Sequence, residues 1–407
     1  MMIRPSGRYL ATVVSIAAVI SLTAAACGSN SGSSGSGSGS SSPVKIMDIT
    51  TLTSPGQSLN VYPESPAAAN AAATAINAHG GIDGHPIQVI VCDDQANPDQ
   101  AAVCGRDAVS DHVIAVTSQS LLSASYINEL VAANIPLVGN AVVGAADFTS
   151  PYSFPIGASV LSTYPAGALG LIKDGDTKVG ILRIATPLDT ITDDATRAGI
   201  KSGGGTLVAD VAVPTTVTDY GSYAQQLKQS GANGVVLIES EAAQVGVIQA
   251  AAEIGYHPRW AIAYGSLTNS ELKQLEPLVD GSVVYSTLPL VTDTALPGIK
   301  TFVAQMKAEQ SHNAAASMLD STSLSVWLAI YAIAGTLAGV HGDITSTVML
   351  QKLRALHSLS LQGLLTWEPN NTGPALQPRV STGLIYLAQV QNGTVVSTGQ
   401  TVNLYAS

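Results

Sequence analysis

The sequence predicts an α/β protein made of two similar halves, each a mostly parallel sheet flanked by helices. Three observations carry this. Short apolar runs that read as strands alternate with segments that read as helices, the β-α-β-α order of a parallel sheet covered on both faces. The alternation starts at Pro43 and begins afresh at KVGILRI, residue 178. A chain of 407 residues, 46% of them apolar, also has room for two domains with substantial cores.

Taken in order, the chain opens on a basic and then a greasy segment. Arg4 and Arg8 precede an almost wholly apolar run over residues 10–26, the n-region and h-region of a secretory signal. Ala24, Ala25 and Ala26 stand directly before Cys27. This resembles the lipobox of bacterial lipoproteins, in which the cysteine thiol is lipidated and becomes the new N-terminus. Ala24 departs from the pattern, since Leu is commoner there and Leu22 lies two residues too early. The competing reading is an ordinary cleaved signal with a chance cysteine. The neighbouring segment favours lipidation: residues 28–42 are nearly all Gly and Ser, a flexible coil of about 15 residues spanning roughly 20 Å, and a tether needs a fixed end. The expected division is a signal peptide over residues 1–26, then lipidated Cys27 and its tether over 27–43.

From Pro43 on, VKIMDIT reads as a strand. Residues 65–77 form an alanine-rich helix stopped by HGG. PIQVIVC is a strand, residues 97–109 a helix, VIAVT a strand, 124–133 a helix and IPLVG a strand. In the second half KVGILRI, GTLVADVAV, GVVLIES and WAIAYG are strands, separated by helices over 193–201, 223–230 and 243–255. Helices follow over 298–310, 322–337 and 348–356. LIYLAQVQNGTVVST then reads as a hairpin, with Asn392-Gly393 supplying the two positive-φ residues of a type I′ turn. The apolar run over 324–340 is at the lower limit of a membrane span and lacks basic flanks. Its Ser325, Thr336 and two glycines suit a buried helix better.

With Cys27 carrying lipid, Cys92 and Cys104 remain as an even pair in an oxidising compartment. Cys92 ends a strand and Cys104 falls in the second turn of the next helix, so a disulfide is expected, two free thiols being the alternative. The net charge of −11, with 11% charged residues, argues against nucleic acid and against docking on an anionic membrane through a basic face. No GxSxG, Walker A or HExxH motif is present, the seven histidines are scattered, and no cluster has metal-ligand spacing. No enzymatic chemistry, metal or cofactor is expected.

INAHGGIDGHPIQVIVCDDQANP resembles a hallmark segment of the branched-chain amino-acid-type (Leu/Ile/Val-binding-like) substrate-binding proteins of ABC transporters, which have the type I periplasmic-binding-protein fold. VIAVTSQS followed by NIPLVGN, ALGLIKDGDTKVGIL, GVVLIESEAAQVGVIQAAAEIGY and LIYLAQVQNGTVV extend the resemblance from about Val44 onward. It implies two lobes joined by three hinge crossovers, placed near residues 152–157, 286–289 and 366–370. Lobe 1 is then 44–154 plus 288–367, and lobe 2 is 155–287 plus 368–407. It also implies a lipid-anchored protein on the extracytoplasmic face of the cell membrane, delivering a small polar molecule to an ABC permease. Its rival is a sensor of the same fold acting on a signalling partner.

In open α/β sheets, ligands sit beyond the carboxyl ends of the strands. By resemblance, the serine-rich turn Ser118, Ser120 and Ser123 would hold a ligand carboxylate, with Ser120 matching best; helix capping is the plainer role. Asn140, Val142 and Val143 follow the next strand, and Val143 stands where the family often has Thr, so that hydroxyl is lost. Leu188, with Asp189 beside it, occupies the place of a family Tyr. Gly265, followed by Ser266, occupies the place of the Glu that pairs with an α-ammonium. A buried ammonium without a counter-charge is costly. Either Glu241, the preferred substitute, or Glu239 or Asp189 replaces that Glu, or the ligand is an amide, a short acid, an aromatic acid or a urea-like compound. Tyr62 and Tyr264 are expected as cleft walls.

Overall fold

The structure is a computed structural model that describes residues 42–57, 59–185 and 189–405, with 189–191 placed by backbone alone. The signal, Cys27 and most of the tether lie outside the described residues. The chain first builds β1 (Val44–Thr50), α1 (Glu64–Asn77), β2 (Ile87–Asp93), α2 (Pro98–Ser110), β3 (Ala115–Gln119), α3 (Ile127–Ala132), β4 (Leu137–Val138), α4 (Ala145–Thr149) and β5 (Ser153–Phe154). These strands form a five-stranded parallel sheet in the order β2-β1-β3-β4-β5. Strand β1 shows why the sheet is buried on both faces. Its Val44 and Ile46 point into one core with the α1 alanines, and its Met47 and Ile49 point into another with Ala101 and Cys104 of α2. Asp48 shares the α1 face and is wholly buried.

The second sheet takes β6 (Lys178–Ile184), β7 (Thr206–Val213), β8 (Gly234–Ile238), β9 (Arg259–Ala263) and β10 (Val283–Ser286). Around and between them run α5 (Val160–Lys173), α6 (Asp189–Ser202), α7 (Gly221–Ser230), α8 (Glu241–Glu253) and α9 (Asn269–Gln274). The chain then adds α10 (Pro297–Glu309), α11 (Ser321–Thr336), α12 (Ser346–Ala355) and a small ribbon of β11 (Leu359–Leu361) and β12 (Leu365–Trp367). It ends with the hairpin β13 (Leu384–Gln391) and β14 (Thr394–Asn403). The seven-stranded order is β14-β13-β10-β9-β8-β6-β7, parallel except for the hairpin. Asn392 and Gly393 have φ of 50° and 62°, as the I′ turn requires.

Helix α11 returns to the first sheet. Its Trp327, Ile330 and Ile333 are fully buried in the core that holds the α1 alanines, and alanine allows that close approach. Among the described residues no helix is long and apolar enough to cross a membrane. Cys92 and Cys104 form the expected disulfide, with Cα atoms 5.7 Å apart.

Sequence reasoning placed VIAVT two residues too early, since β3 runs from Ala115 to Gln119. The helix expected over 124–133 is a 3₁₀ turn at Ser123–Ser125 and then α3. Tyr126, wholly buried against Gly105 of α2, occupies the break.

Three segments pass between the sheets side by side. Trp367 donates its indole N–H to the Pro155 carbonyl at 2.7 Å. Arg379 donates to the Ser153 carbonyl at 3.0 Å and lies over the Phe154 ring. A Cβ on Gly157 would stand 3.0 Å from Thr287, so the segments that carry these two residues run in contact.

Candidate functional site

In each sheet the chain reverses its winding once. In the first, β1 lies between β2 and β3; in the second, β6 lies between β7 and β8. Such switch points open a crevice at the strand carboxyl ends. The two crevices face one another. A cavity of about 300 Å³ is lined from the first sheet's side by Leu59, Leu121 and Val143, and from the second's by Tyr164, Ile184 and Ile238. A second cavity of about 240 Å³ adjoins it and is lined by Glu64, Asp320, Glu241, Leu267 and Met318. Asn60, Tyr62, Tyr264 and Gly265 line both. A third, about 150 Å³, lies by Asn140, Thr287 and Thr322. Hydrogen bonds cross the crevice, among them the Glu241 N–H to Asn60 Oδ1 at 3.0 Å and Ser321 Oγ to the Tyr264 carbonyl at 2.7 Å.

Tyr62, Tyr264, Glu241, Ser266, Asn140, Val142 and Val143 are brought to these cavities. Ser118, Ser120 and Ser123 are not among their lining residues. Ser118 belongs to β3 and shares a 2.8 Å hydrogen bond with the Tyr126 hydroxyl. Ser120 donates to buried Asp94 and accepts from Leu122 N. Ser123 is hydrogen-bonded to Asp147. The backbone donors are similarly occupied: Ser120 N bonds Ser118 Oγ, and Val143 N and Gly144 N bond Asp147 at 3.3 and 3.0 Å. Asn140 donates to the same carboxyl at 2.8 Å. The sequence shows these donors but not the two buried acids that absorb them. Leu188 lies outside the described residues, and Asp189 is placed by its backbone as the first residue of α6. Ser266 donates to the Ala263 carbonyl at 2.9 Å and to Gln244 at 3.2 Å. Glu239 lines the larger cavity.

Sequence reasoning missed the acids at two helix starts. Glu64 opens α1, and Asp320 caps α11 by accepting from Ser323 N at 2.8 Å. Acids at helix N-termini are ordinarily solvated partners of the helix dipole. Here Glu64 is 2% exposed and its Oε2 has no hydrogen-bond partner. Burial, then the neighbouring Asp320 carboxyl, pushes Glu64 up to about 8. Burial also raises Asp320, against the hydrogen bonds from Ser323. Behind them Asp48 is raised to about 7 by burial, although Ser65 donates to it at 2.8 Å. At the rim, partial burial and then Glu271 raise Glu241. Gly265, at φ +89°, packs against this group: a Cβ there would stand 3.1 Å from Asp320 Cβ. Among the described residues no group of three or more His, Cys, Asp or Glu is placed to hold a metal ion.

Two helix-flanked parallel sheets facing each other across a shared crevice define the class of two-lobed α/β solute receptors. The chain belongs to the periplasmic binding protein family, whose profile matches residues 43–394. No curated protein sequence matches it. The fold is similar to that of the branched-chain amino acid transporter substrate binding protein LivJ from Streptococcus pneumoniae in complex with isoleucine, with 17% identity, TM-score 0.72, and 89% of this chain and 99% of that one covered. It is also similar to a fatty acid ABC transporter substrate-binding protein from Thermomonospora curvata, with 15% identity, TM-score 0.73, and 89% and 92% covered. A third is an ABC transporter solute binding protein from R. palustris in complex with benzoate, with 15% identity, TM-score 0.69, and 88% and 95% covered.

Proposed function

We propose that this chain is the solute-binding lipoprotein of an ABC importer, held through acylated Cys27 and its Gly/Ser tether to the extracytoplasmic face of the membrane. Residues 44–154 with 288–367 act as one lobe, and 155–287 with 368–407 as the other. The lobes close on one small molecule, and the permease reads the closure. One observation carries this reading: the adjoining cavities at the strand carboxyl ends draw their walls from both sheets, so a molecule there bonds to both halves at once. Leu121 and Val143 on one side and Tyr164 and Ile184 on the other give the crevice apolar walls, and Tyr62 and Tyr264 stand at its middle.

The relatives of known ligand span an amino acid, a fatty acid and an aromatic acid, so the likeness alone leaves the ligand open. A thermal-shift screen of the purified protein against amino acids, amides, amines and small acids tests the reading. A ligand at a hundred times its dissociation constant adds about 2.7 kcal/mol by mass action, a visible rise in melting temperature. A screen in which no solute of any class moves the transition sinks the reading, and mass spectrometry showing an unmodified residue 27 after signal removal removes the anchor.

A further inference from the structure

The ligand's charge is written in the smaller cavity. Three carboxyl groups line it, Glu64 and Asp320 from the first sheet's side and Glu241 from the second's, and neither it nor the adjoining cavity has a Lys, Arg or His in its wall. Helix-dipole partners do not need burial, yet Glu64 is 2% exposed, lines the cavity, and keeps Oε2 without a hydrogen-bond partner. A buried carboxylate oxygen in that state lacks a donor, and the cavity is where one can arrive. An anion brought there finds no Lys, Arg or His as a counter-charge. The donors that the family resemblance offers to an anion are occupied elsewhere: Ser120 by Asp94, Ser123 by Asp147, and the Val143 and Gly144 N–H groups by Asp147. Leu267, Leu272 and Met318 give the wall apolar stretches, beside the uncharged polar side chains of Thr268, Asn269, Ser270 and Ser317. Gly265, at positive φ and without a side chain, lines the cavity in close approach to Asp320.

Resting on the solute-binding reading, we propose that the ligand is a small hydrophobic amine without a carboxylate, its protonated nitrogen donating to Glu64 and Asp320 and its hydrocarbon lying between Tyr62 and Tyr264. A quaternary ammonium would leave Glu64 Oε2 without a donor, so the nitrogen carries N–H. With no metal-ligand grouping among the described residues, an organic cation fits better than a metal ion.

The test uses matched probes on the purified full chain at neutral pH. Isoamylamine, leucine and 4-methylpentanoate share one skeleton; phenethylamine, phenylalanine and 3-phenylpropanoate share another. Calorimetric titration is expected to show each amine binding at least about tenfold tighter than its amino acid and its acid, the scale of one charge-assisted hydrogen bond. E64Q removes the ionisable carboxyl and keeps the shape, and should weaken the amine by about tenfold or more while leaving the unliganded melting temperature unchanged or raised. D320N, which keeps a capping side chain, is the second variant should E64Q fail to fold. Tighter binding of either amino acid or either acid overturns the amine proposal and leaves the solute-binding reading standing. So does an amine affinity unchanged in both variants. Failure of every probe here and every solute in the wider screen overturns both.

Discussion

Replacing Asp48 with Asn should flatten the pH dependence of stability. Asp48 sits on the α1 face of β1, where Val44 and Ile46 pack against alanines, and it is 0% exposed. Ser65 donates to Oδ2 at 2.8 Å, while Oδ1 has no partner. Burial lifts the carboxyl from 3.8 to about 7, so the folded protein holds a proton that the unfolded chain releases. The sign follows from linkage: the stabilisation is complete below the unfolded value and is lost as pH rises through the folded one. Between pH 5 and 8.5 the loss assigned to this group is about 3 kcal/mol. An amide of the same shape carries no such loss. Urea unfolding of wild type and D48N at those two pH values measures it. Glu64, Asp147 and Asp320, also raised, add a downward slope to both proteins that largely cancels in the comparison. The slope of D48N should be shallower by about 3 kcal/mol over the interval. Equal slopes would mean that Asp48 is ionised in the folded protein, and the reasoning fails.

Two further outcomes are expected. Replacing Cys92 and Cys104 together with Ala should lower unfolding stability by about 3 kcal/mol, the loop-closure effect of a bridge of this span; dithiothreitol should lower the wild-type melting temperature and leave the variant unmoved. Trp367→Phe removes the indole donor from the buried Pro155 carbonyl and should cost about 1–3 kcal/mol in chemical denaturation; a variant as stable as wild type would show that this bond does not pin the crossing segments.

Much of the fold was legible because its signals are local. VKIMDIT and KVGILRI match β1 and β6 residue for residue, and Asn392-Gly393 marks the hairpin turn. The shortest pieces were not: β4 and β5 have two residues each, too few for any period to show. The site was less legible because its chemistry is set by pairing across the chain. Ser120 looks like a free hydroxyl until Asp94, 26 residues earlier, accepts its hydrogen bond. Glu64 and Asp320 look like ordinary helix-start acids, and only packing of α11 on α1 brings both to one buried cavity. The signal available in sequence was their position: each begins a helix, and helix starts lie at the same end of an α/β layer as the strand carboxyl ends.

The return of α11 to the first sheet has a consequence for the order of assembly. The alanine face of α1 is covered by a helix synthesised only after all five parallel strands of the second sheet, and that sheet is completed only by the final hairpin. A nascent chain stopped after β10 would hold two half-built layers, each with apolar surface bare. The polypeptide is thus interlaced, and neither half can mature as an independent unit ahead of the other.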